Sequence, residues 1–378
     1  MDFGFSEEQE MLRKLARDFL AKESPIAAVR GLLEDDLGYS VEVWRKMAEL
    51  GWMGLIFPQD VGGTGLEMLD LVVVLEEMGR AMMPGPFFST VLLGGSALRE
   101  GANEAQKARY LAPLAAGELK ATLAGPDAGG AWNAAGVGAT ATADGGGFLL
   151  NGVKRFVPDA HVADLILVAA RTESTKGEEG ISLFALDVPK DGVTITTLET
   201  LDQTRKLCDV KLEQVRVGPD SLVGVRGAAW PILQRVSDRA KVALCAEMCG
   251  GAERALEMSV DYAKVRVQFD RPIGSFQAIQ HKCANMLSLV ESAKIATYHA
   301  AWAVSNEAPE APLAAAMAKS YASDAYRIVI GEAIQIHGGI GFTWEHDLQL
   351  YFRRAKASEL TFGDGPFHRA RVAELIEL

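Results

Sequence analysis

The 378-residue sequence predicts a mainly α-helical protein with a central β-domain. Apolar residues recur at helical spacing in the first third, short β-rich runs follow, and the helical period then returns and holds to the end. These two changes of period predict three domains: an N-terminal helical domain over 1–118, a β-barrel or sandwich over 119–227, and a C-terminal four-helix bundle over 228–378.

The N-terminal domain begins with a recognisable helix start. Ser6-Glu-Glu-Gln9 has the pattern of a capping box, in which the serine and glutamine side chains satisfy backbone N–H groups of the first turn. Apolar residues then recur at helical spacing from Met11 to Leu20. Further helices are predicted at about 40–50, 66–80, 87–100 and 103–117.

The central segment carries strand signals without helices between them. Asp144-Gly-Gly-Gly147 separates two β-rich runs and predicts a hairpin turn. Such spacing is typical of a small barrel or sandwich and not of a parallel sheet with crossover helices. The predicted strands are Gly138–Ala143, Phe148–Val157, Leu165–Ala169, Ile181–Val188, Val193–Thr197 and Leu207–Val217.

The C-terminal bundle is interrupted once near its start. Pro272 and Gly274 break the helical pattern there, because proline lacks an N–H and glycine loses helix propensity. The predicted helices cover about 228–268, 275–306, 312–337, 345–356 and 366–377.

Composition restricts the possible partners and compartment. The net charge of −12 argues against general binding to nucleic acid or to an anionic membrane, since both need a basic face. The apolar runs are too short to span a bilayer, and the acidic first residues lack a signal-peptide pattern. The four cysteines form no C-x-x-C pair and the histidines show no metal-ligand spacing. We therefore expect buried free thiols, no metal, no membrane insertion and a cytoplasmic location.

Two stretches stand out as candidate ligand sites. Gln335-Ile-His-Gly-Gly-Ile-Gly-Phe342 places three glycines in four positions after an apolar helical run. These glycines are consistent with an ordinary helix C-cap or with bare backbone N–H groups that approach a phosphate. In Arg266-Val-Gln-Phe-Asp-Arg-Pro-Ile-Gly-Ser-Phe-Gln277, arginines, aromatics and an amide surround the helix break.

These motifs resemble signatures of the acyl-CoA dehydrogenase family. The second stretch is similar to the family's R-x-x-F-x-x-P-I-x-x-F-Q motif, and Gln335–Phe342 to its Q-x-x-G-G-x-G-[FY] motif. Phe57-Pro-Gln-Asp-Val-Gly-Gly-Thr-Gly65 and Asn103–Leu111 resemble its N-terminal domain. The resemblance covers nearly the whole chain and implies helices, a β-domain and a four-helix bundle.

The resemblance also implies a reaction and a cofactor. In this family a glutamate removes the α-proton of an acyl-CoA thioester while FAD accepts the β-hydrogen as hydride, and an electron-transfer flavoprotein is the expected electron acceptor. The FAD pyrophosphate lies across a subunit interface, where an arginine fork pairs two phosphate oxygens. By resemblance, the residues that bind FAD of a neighbouring chain are Arg266, Phe269, Phe276, Gln277, Gln335, Gly338 and Gly339. The alternative role for Arg266 is a structural ion pair.

The sequence departs from the family where the β-domain meets the flavin. The motif T-E-P-x-A-G-S-D is replaced by Ala124-Gly-Pro-Asp-Ala-Gly-Gly130, so Ala124 and Gly130 replace flavin-binding hydroxyls. The motif W-I-T is replaced by Phe156-Val-Pro158, which removes an indole, a hydroxyl and a backbone N–H.

The family's catalytic glutamate is also missing, so we assign no catalytic residue. Phe362 stands at its C-terminal position and Ala240 at its alternative position on the first bundle helix. Asp364 is either a displaced base or a helix cap. Asp238 and Lys241 flank the vacant position and are candidates for substrate contact or for a structural role.

Three functional hypotheses follow. The leading hypothesis is a subunit of a heteromeric FAD-dependent acyl-CoA dehydrogenase, similar to the small subunits for dicarboxylic or sterol side-chain thioesters, with the glutamate on a homologous partner subunit. The second is a self-sufficient homotetrameric dehydrogenase that uses Asp364 as its base. The third is a non-enzymatic acyl-CoA-binding scaffold.

Overall fold

The structure is a computed structural model that describes residues 5–126 and 132–378. Its Cα packing forms two compact units. One comprises the residues up to Gly31, Met68–Met83 and Lys241–Leu378; the other comprises Leu32–Glu67 and Pro84–Ala240. The two domain boundaries predicted above, after residues 118 and 227, follow the type of secondary structure and stay a prediction.

Helices precede and follow the central strands, as predicted. Two segments of the N-terminal region, Phe88–Gly95 and Lys107–Leu111, are π-helical. The short helix after Pro25 was not predicted, because six residues are too few to show a period. The helices are α1 (Glu7–Glu23), α2 (Ile26–Gly31), α3 (Val41–Glu49), α4 (Met68–Arg80), α5 (Ser96–Gly101), α6 (Glu104–Gln106), α7 (Ala112–Ala115), α8 (Trp230–Val265), α9 (Gln277–Ser305), α10 (Ala311–His337), α11 (Leu348–Leu360) and α12 (Gly365–Leu375).

The predicted capping box is confirmed at the start of α1. The Ser6 hydroxyl accepts a hydrogen bond from the Gln9 N–H at 3.2 Å, and the Gln9 side chain accepts one from the Ser6 N–H at 3.0 Å. Both bonds satisfy N–H groups that have no partner within the helix.

The central strands form one eight-stranded sheet in the order β6-β7-β3-β2-β4-β5-β8, with β1 added beside β4. β1 runs parallel to β4, with Ala121 opposite Leu165. The described chain between them contains a hairpin and 3₁₀ turns instead of a crossover helix. The strands are β1 (Ala121–Ala124), β2 (Thr140–Asp144), β3 (Gly147–Pro158), β4 (Leu165–Arg171), β5 (Ile181–Asp187), β6 (Val193–Leu198), β7 (Leu207–Val217) and β8 (Leu222–Val223).

The predicted hairpin turn joins β2 to β3. Asp144 pairs with Gly147, and the two residues between them have φ values of 56° and 94°. Two positive φ values define the type I′ turn, whose twist matches that of the strands and favours glycine. Inward-facing residues of the sheet, among them Leu150, Phe184 and Val210, form one buried core.

In the unit that contains the bundle, α4 and α8 touch backbone to backbone. A Cβ on Gly250 would lie 1.9 Å from the Glu76 carbonyl oxygen, so only glycine allows this approach. The Glu76 side chain is buried beside α1, with its Oε2 3.4 Å from Arg13 Nη2. Burial raises the pKa of Glu76 to about 7, although Tyr298 and Arg13 lower it in part.

We predict that Glu76→Gln makes the chain less sensitive to pH. Because the folded-state pKa lies above the unfolded value, the folded chain holds this proton between about pH 4.5 and 7, and stability falls as pH rises through that interval, by about 3 kcal/mol. The glutamine cannot titrate, so the free energy of unfolding should fall less between pH 5 and 8, measured by urea denaturation.

The matched control is Glu77→Gln. It removes the carboxylate of Glu77, which accepts two hydrogen bonds from Arg17 at 2.9 and 2.7 Å, and leaves Glu76 in place. This control should keep the wild-type pH dependence, and the same dependence in Glu76→Gln would contradict the assignment.

Candidate functional site

The helix predicted over 228–268 ends at Val265, three residues early, because a tight hairpin follows. Val267 and Gln268 pair with Pro272 and Arg271 as strands β9 (Val267–Gln268) and β10 (Arg271–Pro272). The two turn residues, Phe269 and Asp270, have φ values of 55° and 61°. Such values are strained for residues other than glycine, and strain of this kind is concentrated at functional sites.

The hairpin presents aromatic rings to solvent. Phe269 is 85% exposed and packs edge-to-face on Phe276, with ring centroids 6.0 Å apart. The Arg271 guanidinium lies 4.1 Å from the centroid of Phe276, within range for a cation–π interaction. Gln277 is the first residue of α9 and is exposed beside Phe276.

The glycine motif ends α10. Gly338 is the C-cap of the helix with φ 62°, so the C-cap role considered from the sequence is present. A cap does not account for Gly339: a Cβ there, or on Gly338, would meet no atom within 4 Å. Gly341 differs, since its Cβ would lie 2.9 Å from the Ile334 carbonyl oxygen. The backbone at Gly338 and Gly339 is therefore open to an external group.

One ring stack brings the two motifs together. Tyr262, in the last turn of α8, stacks on His337, the last residue of α10, with centroids 4.4 Å apart and planes at 21°. His337 Nδ1 lies 2.7 Å from the Ala333 carbonyl oxygen, and burial lowers the pKa of the imidazole. The neutral ring thus anchors Gly338 next to the segment that carries Arg266. Tyr262 was missed from the sequence, where it matched an ordinary helix position.

The two motifs contain three polar side chains that are exposed to solvent. Arg266, Gln277 and Gln335 are exposed, and none of these side chains has a hydrogen-bond or ion-pair partner within the described ranges. The alternative of a structural ion pair for Arg266 therefore has no support from these residues. Guanidinium and amide donors next to bare glycine N–H groups can bind a phosphate or pyrophosphate.

The turn between α11 and α12 contains Phe362, which stands at the family position of the base, and Asp364, which was considered as a displaced base. Phe362 is 1% exposed and has φ 61°. Asp364 is the N-cap of α12, where its carboxylate accepts a hydrogen bond from the Phe367 N–H at 2.9 Å. This bond supports the capping interpretation. Asp238 and Lys241 lie one turn apart on α8.

The sheet unit carries the other departures from the family. Ala124 is buried at the end of β1, and the carbonyl of Pro158 accepts a hydrogen bond from the Thr122 hydroxyl at 2.7 Å. Phe156 sits on a bulge of β3 with φ 55° and is 52% exposed. The aromatic ring at this position therefore faces solvent. Gly130 lies outside the described residues.

The remaining sequence predictions concern thiols and membranes. All four cysteines are free; Cys208, Cys245 and Cys249 are buried, while Cys283 is half-buried. Within residues 5–126 and 132–378, no group of histidine, cysteine and acidic side chains could hold a metal ion. Over the same residues, no helix combines the length and apolar character needed to cross a bilayer.

Family models match the chain along nearly its whole length. The acyl-CoA dehydrogenase N-terminal, middle and C-terminal domain models match residues 6–118, 122–215 and 229–376. The caffeyl-CoA reductase–Etf complex subunit CarC of Acetobacterium woodii is 32% identical, over 98% of this chain and 99% of its own.

Solved structures agree with this relationship. The structure of butyryl-CoA dehydrogenase from Megasphaera elsdenii superposes with a TM-score of 0.92 at 29% identity and covers 100% of both chains. A chain of the ChsE4–ChsE5 complex from Mycobacterium tuberculosis gives a TM-score of 0.89 at 27% identity, covering 100% of this chain and 99% of its own.

We predict that two substitutions of Asp364 show whether this residue caps α12. Asp364→Ala should lower the free energy of unfolding by about 1 kcal/mol, because the first turn of α12 loses its acceptor. Asp364→Asn should cost little, since an asparagine oxygen caps equally well. Urea denaturation measures both. Equal losses in the two variants would contradict the capping role.

Proposed function

Because the chain belongs to the acyl-CoA dehydrogenase family, whose members are FAD-dependent oxidoreductases, we propose that it is one subunit of a heteromeric acyl-CoA dehydrogenase. In this assembly it completes the FAD site of a homologous partner subunit that carries the glutamate base. The observation that carries the proposal is the contrast between an open phosphate-type surface at Arg266 and a buried phenylalanine at the position of the base.

The residues at the end of α8 and α10 fit half of an FAD pyrophosphate site. Arg266 offers a planar fork of donors with no partner among the described residues, and Gly338 and Gly339 leave their backbone accessible. We assign Phe269, Phe276, Gln277 and Gln335 to the same site. When bound, FAD supplies the redox chemistry of the family. The contribution of these side chains is to hold and orient its phosphates for the neighbouring chain.

Neither family position of the base carries a carboxylate in this chain. Removing an α-proton requires a general base, which is a carboxylate in this family, and both family positions carry hydrocarbon side chains, Phe362 and Ala240, that are fully buried. The nearby carboxylate of Asp364 already accepts the Phe367 N–H. The hydroxyls and indole that face the flavin in relatives are replaced by Ala124, Phe156 and Pro158. Loss of both sets of residues favours a chain that does not perform the redox step itself.

Substrate and partners follow from the same proposal. Asp238 and Lys241 contact the acyl-CoA thioester, or stabilise the helix that carries them. A partner subunit is supported by the similarity to a chain of the ChsE4–ChsE5 complex. An electron-transfer flavoprotein as electron acceptor is supported by the relative from an Etf complex. The free thiols agree with a reducing, cytoplasmic location.

Two other functions make different predictions. A self-sufficient dehydrogenase would turn over a simple acyl-CoA without a partner. A non-enzymatic scaffold would purify without flavin, alone and in its complex. Arg266, Gln277 and Gln335 have no side-chain partner among the described residues, which favours a flavin site over the scaffold.

We predict that Arg266→Ala weakens FAD retention by the assembled complex about tenfold or more. Hydrogen bonds to charged groups contribute roughly 1.5–3 kcal/mol each, and the phosphate would lose the N–H donors of the Arg266 guanidinium. Flavin absorbance of the complex after gel filtration in dilute buffer measures retention. Arg371→Ala is the matched control, because Arg371 pairs with Glu374 on α12. Equal flavin content in both variants would remove Arg266 from the site.

We predict that the isolated chain, saturated with FAD, does not bleach the flavin absorbance with any acyl-CoA of a panel of chain lengths. The absence of a positioned base costs about 10²–10⁴ in rate. Activity should appear when the glutamate-bearing partner is added. Bleaching by the isolated chain that is lost in Asp364→Asn would establish the self-sufficient enzyme.

A further inference from the structure

The turn that carries Phe362 is held by side chains from outside the turn. His368, one turn into α12, donates from Nε2 to the Phe362 carbonyl oxygen at 2.9 Å. Lys319, in the third turn of α10, donates from Nζ to the Gly363 carbonyl oxygen at 2.8 Å. Two consecutive carbonyls of the turn are therefore fixed by two different helices.

The lysine has no donor left for another partner. Its ammonium also bonds to the Glu359 carbonyl oxygen at 3.0 Å and to the Ser323 hydroxyl at 2.9 Å, which uses all three N–H groups. Lys319 is fully buried, and burial lowers its pKa to about 8. Burying an ammonium among backbone carbonyls has a cost in stability that only a defined geometry offsets.

The histidine is equally constrained. His368 is fully buried, and burial together with Lys241 and Lys319 lowers its pKa to about 3, so the imidazole is neutral at physiological pH. Nε2 faces the Phe362 carbonyl oxygen, whereas Nδ1 has no hydrogen-bond partner. Because a carbonyl oxygen only accepts, the proton is on Nε2. The ring can therefore act only as a donor to the turn.

These bonds impose an unfavourable backbone at residue 362. Phe362 has φ 61° and Gly363 has φ 98°, and the first value is unfavourable for a residue with a side chain. The Phe362 ring has no polar group that could enforce such a conformation. The restraint comes from Lys319 and His368, with Asp364 fixing the start of α12.

We propose that Lys319 and His368 are positioning residues that fix the turn from Thr361 to Asp364 and thereby direct the side chain at position 362 into the protein interior, whichever residue stands there. The inference rests on the proposed function for its meaning: the chain keeps the framework that would aim a base while carrying a phenylalanine instead. The geometry itself does not depend on flavin or turnover.

The test measures where a side chain at position 362 points. Phe362→Cys is made in a Cys283→Ser background, so that the other thiols, Cys208, Cys245 and Cys249, are buried. The rate of alkylation by iodoacetamide is followed at each thiol by mass spectrometry, and buried Cys249 in α8 reports global unfolding. We expect the thiol introduced by Phe362→Cys to be protected well beyond a free thiol.

Adding Lys319→Met should raise alkylation of this introduced thiol at least about tenfold, because a charged hydrogen bond to the turn is lost, while Cys249 stays protected. Lys356→Met is the matched control: Lys356 pairs with the Glu359 carboxylate at 2.9 Å in the same neighbourhood but donates to no carbonyl of the turn. It should leave the rate at the introduced thiol unchanged.

A second pair of variants covers the case in which Lys319→Met unfolds. His368→Leu should raise alkylation of the introduced thiol about fivefold, and His368→Gln, whose amide can donate to the same carbonyl, should restore much of the protection. Unchanged protection in His368→Leu and in folded Lys319→Met would overturn the proposal. Equal rises at the introduced thiol and at Cys249 in the His368 variants would also overturn it. Neither result bears on FAD binding at Arg266.

Discussion

The stack of Tyr262 on His337 is the contact on which the candidate site depends. Arg266 follows the end of one helix and Gly338 follows the end of another, so neither motif alone specifies their proximity. The stack at 4.4 Å ties the two helix ends together, and the bond between His337 Nδ1 and the Ala333 carbonyl oxygen fixes the ring. Because burial lowers the pKa of His337, the imidazole stays neutral and stacks without an unpaired charge.

The surface next to this stack differs in kind from the turn at Phe362. Around Gly338 and Gly339, backbone and polar side chains are open and have few internal partners. Around Phe362, every donor of Lys319 is used and the side chain is buried. The first arrangement suits contact with another molecule, whereas the second is complete within the chain. This contrast is the physical basis of the proposal that the chain supports a partner's chemistry.

Much of the fold could be predicted because its signals are local. The capping box at Ser6, the hairpin turn after Asp144 and strand β7 all follow from residues close in sequence, and the structure contains each of them. The parallel pairing of β1 with β4 was not predicted, because its register is set by contacts about 40 residues apart along the chain. The hairpin at Phe269 was missed because a type I′ turn usually contains glycine or asparagine.

Part of the candidate site could also be predicted. Motif spacing indicated Arg266, Gln335 and the glycines, and the structure places the two motifs side by side through Tyr262. Lys319 could not be found in this way, since a lysine within an alanine-rich helix resembles a solvent-facing residue until its burial is known. Its three acceptors lie on the same helix and on two later segments of the chain, so only the tertiary structure reveals its role.

The measurement that tests the central claim most directly is the number of FAD molecules per chain in the assembled enzyme. Flavin absorbance, calibrated against quantitative amino-acid analysis of the purified complex at saturating FAD, gives that number. If this chain completes its partner's site and has lost its own flavin contacts, we expect one FAD for every two chains. One FAD per chain would contradict the account, because it would require a working flavin site beside Ala124 and Phe156.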